Sequence, residues 1–156
     1  MEFVALDFET TAYADGNTNE PWQLGLAHVR DGEIIETKEF FFDVAGAPER
    51  AHAPDALGCF ASAYDSWAPF LLGKRLVAHN IACERTLLTR AAPLTRWGPW
   101  VDTLKLAKAR YPNMPSYTLS ALCEAFGQIP QIPDRTWHDG LFDAIACANL
   151  ANFLSF

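Results

Sequence analysis

The sequence has no long hydrophobic segment: none of its apolar runs approaches the roughly 20 residues that a membrane-spanning helix requires. Its first residues, MEFVALDFET, carry acids where a secretion signal has a basic start and a small-residue cleavage site. The four cysteines are widely spaced and form no C-x-x-C pair, so no zinc knuckle or disulfide framework is indicated. We therefore expect a soluble, cytoplasmic protein with buried thiols and no membrane partner.

Basic residues are also scarce, with 12 Lys and Arg against 19 Asp and Glu and a formal net charge of −7. A protein that coats nucleic acid by neutralising phosphates needs an excess of Lys and Arg, so the charge argues against this mode of binding. An enzyme that acts on nucleic acid is not excluded. Carboxylates clustered around divalent cations would present a positive centre to phosphates once the metal is bound.

The chain has 156 residues, of which 50% are hydrophobic and 13% aromatic. This length can bury one sizeable core and leaves little for a second. Internal repeats and low-complexity linkers are absent from the sequence. We therefore expect a single domain over residues 1–156.

Short apolar segments between turn-forming residues predict the order of elements. Strand patterns cover residues 2–8, 23–29, 34–44, 74–80 and 100–103, with a hairpin turn at Asp31-Gly32. Helical patterns cover residues 54–73, 81–92, 104–111, 118–127 and 141–154, and Asn80 is a good N-cap for the second of them. Early antiparallel strands followed by strands that alternate with helices predict an α/β fold, in which helices flank one mixed sheet of five strands.

Two acids occupy the first turns of predicted helices. Asp143 begins a final helix that is apolar on nearly every side, and an unpaired ionised carboxylate in such a setting either neutralises or finds a cation. Glu84 lies at the start of the helix after Asn80. The helix dipole alone stabilises an acid there by a few tenths to about 1 kcal/mol. Each acid therefore has a purely structural alternative.

Asp7 and Glu9 lie two residues apart in the first predicted strand, so their side chains share one face about 7 Å apart. A D-x-E pair is common by chance, and the alternative places Glu9 in solvent and Asp7 at a cap. The first strand, the junction at residues 79–84 and the start of the last helix can all meet at one sheet edge. This convergence favours a common site for the four acids.

His138 precedes Asp143 by five residues, just before the final helix. A single histidine is more often an ordinary loop or core residue than a catalytic one. An imidazole that titrates near neutrality beside carboxylate-bound metal is, however, what a reaction with a general base at physiological pH requires.

Three segments, taken in order, resemble motifs of the DEDDh branch of the 3′-5′ exonucleases, the DnaQ-like superfamily that includes proofreading subunits and ribonuclease T. VALDFETT resembles the first motif, LVAHNIACERTLL the second with its His79-Asn80 pair, and HDGLFDA the third with its His-x4-Asp spacing. WVDTLKLAKARYP and SYTLSALCEAFG are similar to connecting segments of the family. The resemblance covers nearly the whole chain and implies a ribonuclease H-like fold.

The resemblance also implies the chemistry, which is two-metal hydrolysis of a phosphodiester at a 3′ end. Asp7, Glu9 and Asp143 would hold one Mg²⁺ or Mn²⁺, Asp7 and Glu84 would hold the second, and His138 would act as general base. The family has aspartate in its second motif where this chain has Glu84. Glutamate keeps the charge and the oxygen ligands but is one methylene longer, which affects the metal geometry and the rate.

By the same resemblance, the backbone and side chains around Phe8 and Thr10 contact the terminal nucleotide, with Phe8 or Tyr13 available to stack on a base. Asn80 serves either the site or its helix as a cap, and capping is the preferred interpretation. Trp137 either shields the site or packs. Both roles of Trp137 are compatible with the sequence.

The lack of a basic groove favours single-stranded ends or short oligonucleotides as substrates. As protein partners, the resemblance allows either a second copy of the chain in a homodimer or a polymerase. Two alternatives to the enzyme are a catalytically weak module that binds nucleic-acid ends or a protein partner, which Glu84 alone supports, and a structural domain whose acids are caps and surface charges.

Overall fold

The computed structural model of the chain describes residues 1–11 and 19–156. The neighbouring strands lie in the order β3-β2-β1-β4-β5, with β1, β2 and β3 antiparallel and with β4 and β5 parallel to their neighbours. This arrangement confirms the predicted mixed sheet of five strands. The strands are β1 Glu2–Thr10, β2 Pro21–Arg30, β3 Glu33–Phe41, β4 Leu76–Ala78 and β5 Trp100–Asp102.

Helices connect and flank the strands of this sheet. They are α1 Tyr64–Trp67, α2 Ala82–Ala91, α3 Thr103–Arg110, α4 Leu119–Phe126 and α5 Gly140–Leu154, with 3₁₀ turns at Glu49–His52 and Ala68–Phe70. Helices α2 to α5 agree with the predicted helices to within a few residues, because each is a periodic apolar segment between turn residues. No helix within residues 1–11 and 19–156 is long and apolar enough to cross a membrane.

The predicted helix over residues 54–73 is wrong. Most of this segment forms turns, and its regular part is α1 with the 3₁₀ turn that follows. The backbone of Leu57 is extended: its N–H donates to the Phe41 carbonyl, and its own carbonyl accepts from the N–H of Asp43. Pro69 lies in the 3₁₀ turn, lacks a backbone donor and interrupts a longer helix. The aromatic residues that suggested helical periodicity instead pack on one another, with the Phe60 and Trp67 rings stacked at 4.2 Å.

The two faces of the sheet contact different layers. One face of β1, with Val4 and Leu6, belongs to the largest apolar cluster, which contains the aromatic residues of the 60–67 segment and Leu87 and Leu88 of α2. The opposite face packs against α5. The side chain of each β1 residue is therefore assigned to a layer by whether its number is even or odd.

Candidate active site

Strand β1 directs Asp7 and Glu9 toward the side of the sheet that α5 covers. Phe3 and Ala5 lie in the cluster with Cys147 of α5. Because side chains alternate along a strand, Asp7 and Glu9 continue the face of Phe3 and Ala5 toward the end of β1. The spacing of two thus places both acids on one face, as the sequence predicts.

The N-terminus of α5 lies directly against the sheet beside Asp7. Gly25 of β2 is the register partner of Asp7, and a Cβ built on Gly25 would lie 2.1 Å from the carbonyl oxygen of Gly140. A Cβ on Gly140 would in turn lie 3.3 Å from the carbonyl oxygen of Asp7. The close approach requires glycine at both positions, because a side chain at either one would contact the facing backbone. It brings the first turn of α5, and with it Asp143, next to the acids of β1.

The segment before α5 places His138 at the same point. Asp139 caps the helix, its carboxylate accepting hydrogen bonds from the backbone N–H groups of Leu141 and Phe142, each at 3.1 Å. The backbone N–H of His138 donates to Asp143 Oδ2 at 3.2 Å. Ligand atoms of Glu9, His138 and Asp143 all lie within 4.8 Å of one another. The structure therefore brings the predicted base together with two of the predicted acids.

Glu84 approaches the group from α2. It lies in the first turn of that helix, but it is only 5% exposed, and burial raises the pKa of its carboxyl to about 7. An acid that only interacted with the helix dipole would lie at the surface. Glu84 also repels the ionised form of Asp7 and so helps to raise the pKa of that carboxyl. Neither a surface charge nor a dipole contact accounts for its position.

The acids perturb one another as a group. Burial, followed by repulsion from Glu84, Asp143 and Glu9, raises the pKa of Asp7 well above its usual range. Burial also raises the pKa of Glu9 and, for Asp143, raises it to about 6. Like charges brought out of water cannot all ionise without a compensating cation. The ionised cluster therefore needs a cation to balance its negative charge.

Two carboxylate oxygens of this cluster are buried without a hydrogen-bond partner in the described part of the chain. Among the described residues, Glu84 Oε2 and Asp143 Oδ1 are the buried side-chain oxygen or nitrogen atoms that have no hydrogen-bond partner. A buried acceptor without a partner costs about 1–3 kcal/mol, and more when it is charged. A hard divalent cation such as Mg²⁺ or Mn²⁺ accepts carboxylate oxygens as ligands and would remove both costs. The residues present thus fit a metal centre.

A second group of polar residues around the site was not predicted from the sequence. Gln23, Glu39, Arg50 and Arg135 surround the carboxylate of Asp139 or contact its neighbours. Gln23 is fully buried although it is polar. Its position at the start of the apolar strand segment QLGLAHV was the available signal, since a polar side chain there requires buried partners.

The predicted nucleotide contacts have mixed outcomes. The ring of Phe8 is 7% exposed and packs edge-on against Phe60, so the prediction that it stacks on a base is wrong, and its backbone is the remaining contact. Thr10 is partly exposed at the end of β1, where its hydroxyl accepts a hydrogen bond from Asn19. Tyr13 lies outside the described residues. Trp137 packs edge-on against Phe142, beside the cluster formed by α3, α4 and α5.

The preferred interpretation of Asn80 as a helix cap is wrong. Ile81 occupies the N-cap position of α2, and no side chain caps that helix end. Asn80 has a left-handed backbone, with φ of 67°, and its N–H donates to Asp102 Oδ1 at 3.1 Å. An asparagine tolerates this conformation, so the residue turns the chain between β4 and α2 instead of capping the helix.

Comparison with known proteins identifies related folds. No family model matches the chain. One curated relative is a PolC-type DNA polymerase III from Halalkalibacterium halodurans, 26% identical over 172 aligned residues that cover 96% of this chain. The chain spans only 11% of the length of that polymerase.

Solved structures match over nearly the whole chain. Exonuclease X in complex with 5′ overhanging duplex DNA has a TM-score of 0.71 at 22% identity, over 97% of this chain and 90% of its own. The nuclease domain of 3′hExo, a DEDDh family member bound to rAMP, has a TM-score of 0.72 at 17% identity, over 98% and 90%. E. coli Exonuclease I in complex with a dT13 oligonucleotide has a TM-score of 0.76 at 15% identity, over 98% and 40%. The chain therefore has the ribonuclease H-like fold of the DEDDh exonucleases, which its three acidic motifs also resemble.

Proposed function

We propose that this chain is a metal-dependent 3′-5′ exonuclease that hydrolyses phosphodiester bonds at single-stranded 3′ ends and releases nucleoside monophosphates. The observation that carries the proposal is the buried Glu84 with the partly buried Asp7 and Asp143, beside Glu9 and His138. One carboxylate oxygen of Glu84 and one of Asp143 have no hydrogen-bond partner among the described residues. The shared fold and the ordered motifs support the same activity.

Four carboxylates supply the proposed ligands. Asp7, Glu9 and Asp143 would hold one Mg²⁺ or Mn²⁺, and Asp7 with Glu84 would hold the second. Two bound ions supply positive charge to the entering and leaving oxygens of an in-line displacement. The chain's part is to hold these carboxylates together in the folded state, so that they offer oxygen ligands without reorganising.

His138 is the proposed general base. It is exposed beside two of the acids, so a water at the site can reach its ring and pass a proton to a ring nitrogen. The hydrogen bond from its backbone N–H to Asp143 couples the position of the base to the position of a proposed ligand.

Single-stranded DNA or RNA ends and short oligonucleotides are the proposed substrates. Solved relatives hold a DNA oligonucleotide and an adenosine monophosphate, so both nucleic acids are tested. The backbone of Phe8, with Thr10 and Asn80, would contact the terminal nucleotide. The alignment with a polymerase further supports a proposal that the domain works in association with a polymerase.

Glu84 favours one alternative, a catalytically weak module that binds nucleic-acid ends. Its side chain is one methylene longer than the aspartate of the family pattern, so it could keep the metal and displace it from the reacting phosphate. The two proposals differ in one variant. Shortening the side chain by Glu84→Asp would raise the rate of a poor enzyme and would switch on an inactive one.

The test follows nucleotide release from 5′-labelled single-stranded DNA and RNA with Mg²⁺ or Mn²⁺. We expect stepwise shortening from the 3′ end by the native protein and a loss of at least about 100-fold with His138→Ala, within the range of general-base contributions. His28→Ala is the matched control, because His28 contacts Glu2 at the far end of the sheet. Activity in Glu84→Asp alone would establish the binding module. Inactivity of the native protein and of Glu84→Asp with both metals would contradict the catalytic proposal.

A further inference from the structure

The carboxylate that caps α5 is held by two arginines, Arg135, which lies four residues before it, and Arg50, which is far away in sequence. Asp139 is 10% exposed at its side chain, and its two oxygens accept separate hydrogen bonds. Arg135 Nη1 donates to Oδ1 at 2.9 Å, and Arg50 Nη1 donates to Oδ2 at 3.0 Å. The residue that follows the proposed base is thus fixed from both sides.

Arg135 is itself anchored to the sheet. Its guanidinium makes two parallel hydrogen bonds to the carboxylate of Glu39 on β3, at 2.7 and 2.9 Å. Glu39 also accepts a hydrogen bond from Gln23 at 2.8 Å, and the side-chain oxygen of Gln23 accepts one from the N–H of Gly140 at 3.0 Å. Bidentate pairs of this kind are geometrically specific as well as strong. The start of α5 is therefore tied to β2 and β3.

Arg50 reaches the proposed base more directly. It extends from the 3₁₀ turn Glu49–His52, and its guanidinium lies over the ring of Trp22 at 4.7 Å from the centroid. Its Nη2 donates to the backbone carbonyl of His138 at 3.3 Å, while Nη1 of the same group bonds Asp139. A planar fork that stacks on an aromatic ring and bonds two acceptors is a geometry that lysine cannot reproduce.

The backbone of His138 needs such support. Its φ of 66° lies in the left-handed region, which a residue with a Cβ rarely adopts unless its surroundings hold it. Both of its backbone polar groups are engaged, the N–H by Asp143 and the carbonyl by Arg50. Without Arg50, the carbonyl loses its partner in the described part of the chain, and the segment can relax toward an ordinary conformation.

We propose that Arg50 is a positioning residue, whose guanidinium holds the His138 segment in its left-handed conformation by bonding the His138 carbonyl and the Asp139 carboxylate. The role rests on the proposed function, in which His138 is the base. It is a role of geometry and not of charge alone. Arg50→Lys is therefore expected to behave like Arg50→Ala.

Two measurements test the assignment. The first is steady-state hydrolysis of a labelled oligonucleotide by the native protein, Arg50→Ala and Arg50→Lys, with Arg30→Ala as the control because Arg30 pairs with Glu2 at the opposite end of β2. We expect kcat to fall about 10- to 100-fold in both Arg50 variants with KM nearly unchanged, since a small displacement of a catalytic group has effects of this size. Arg30→Ala should match the native protein.

The second measurement is amide hydrogen exchange of residues 138–142 in the metal-free proteins, which does not depend on activity. We expect exchange about tenfold faster in both Arg50 variants while the protection of β1 and β2 stays unchanged, which also shows that the variants are folded. An unchanged kcat, a rise confined to KM, or full recovery in Arg50→Lys would overturn the proposal, the last two pointing to a phosphate contact. If the native protein does not cleave, the proposed function fails, and the hydrogen-exchange measurement alone tests the positioning role. Unchanged protection of residues 138–142 in the Arg50 variants would then overturn that role.

Discussion

Glu84 carries its carboxyl in a setting that opposes ionisation, and this has a consequence for stability. Burial raises its pKa from 4.5 to about 7, so between these values the folded protein holds a proton that the unfolded chain has released. Stability falls with increasing pH wherever the folded state binds more protons. The contribution of Glu84 is thus fully present below about pH 4.5 and is lost as pH rises through about 7.

The first prediction is that Glu84→Gln removes this dependence, because glutamine fills the same space without a charge. In the absence of metal the free energy of unfolding of native and variant proteins should be similar at about pH 4, below the ordinary pKa of the carboxyl. At pH 8 the variant should be more stable by up to about 3 kcal/mol, the equivalent of the raised pKa. Denaturant titration in EDTA at the two pH values measures both differences.

The matched control is Glu124→Gln on the exposed side of α4, which should leave the pH dependence of the native protein unchanged. Adding Mn²⁺ at pH 8 should stabilise the native protein and have less effect on Glu84→Gln, since an ion that binds only the folded state raises stability by linkage. If the free energy of unfolding depended on pH in the same way for Glu84→Gln and the native protein, the pKa of the Glu84 carboxyl would not be raised in the folded state.

At the scale of elements, the contact between α5 and β2 decides where Asp143 lies. The second prediction is that Gly25→Ala destabilises the protein by about 1–3 kcal/mol or more, because its Cβ would lie 2.1 Å from the Gly140 carbonyl oxygen and neither backbone can yield cheaply. The displaced helix would carry Asp143 away from Asp7. Thermal unfolding and the nuclease rate of the variant check both effects.

Gly58→Ala is the control for this variant. A Cβ on Gly58 would meet only the side-chain oxygen of Ser62, at 3.0 Å, and a hydroxyl can rotate away. Gly58→Ala should therefore keep its activity and most of its stability. A Gly25→Ala protein as active as Gly58→Ala would mean that α5 tolerates displacement without moving the acids.

A partly buried histidine, His79, joins the end of β4 to the loop before α4. His79 Nε2 lies 2.8 Å from the Tyr117 carbonyl oxygen, and Nδ1 lies 2.9 Å from the Thr103 hydroxyl. The carbonyl can only accept, so in the neutral ring Nε2 carries the proton and donates, and Nδ1 faces the Thr103 hydroxyl, which also donates to the Ala78 carbonyl oxygen at 3.3 Å. Burial lowers the pKa of His79, which favours this neutral form.

The third prediction is that His79→Ala lowers the free energy of unfolding by about 1–3 kcal/mol, because it leaves the Tyr117 carbonyl without its His79 donor and removes the ring that links this loop to Thr103. The midpoint of denaturant unfolding measures the loss. His52→Ala should have little effect, since the side chain of His52 is 41% exposed and its contacts are at the surface. Equal stability of His79→Ala and His52→Ala would show that water or neighbouring residues replace the hydrogen bonds of His79.

The sequence predicts what depends on neighbours along the chain. The sheet, helices α2 to α5 and the shared face of Asp7 and Glu9 follow from apolar periodicity and turn residues, which are local. The segment at 54–73 could not be predicted, because the backbone of Leu57 pairs with the end of β3, a partner distant in sequence. Arg50 was missed for the same reason, since its bonds to His138 and Asp139 cross almost ninety positions of the chain.

On the scale of the whole molecule, the sheet gathers negative charge at one place. The chain has a net charge of −7, and the acids of the site come from β1, α2 and α5, elements that are well separated in sequence. Without metal this centre repels phosphates, and with metal it attracts them. Binding of a nucleic-acid end should therefore depend on the metal more than on basic side chains.

The last prediction concerns this dependence and uses His138→Ala, which keeps the four proposed ligands while removing the proposed base. Fluorescence anisotropy with a labelled single-stranded oligonucleotide should show binding at least about tenfold tighter with Mg²⁺ than with EDTA, and Asp7→Asn in the same background should abolish the difference. The slope of log K against log salt should be shallow, with a magnitude below about 3, because a protein with few basic residues releases few counterions. Equal binding in EDTA with a steep slope would place the nucleic acid on a basic surface, away from the acids at the end of β1.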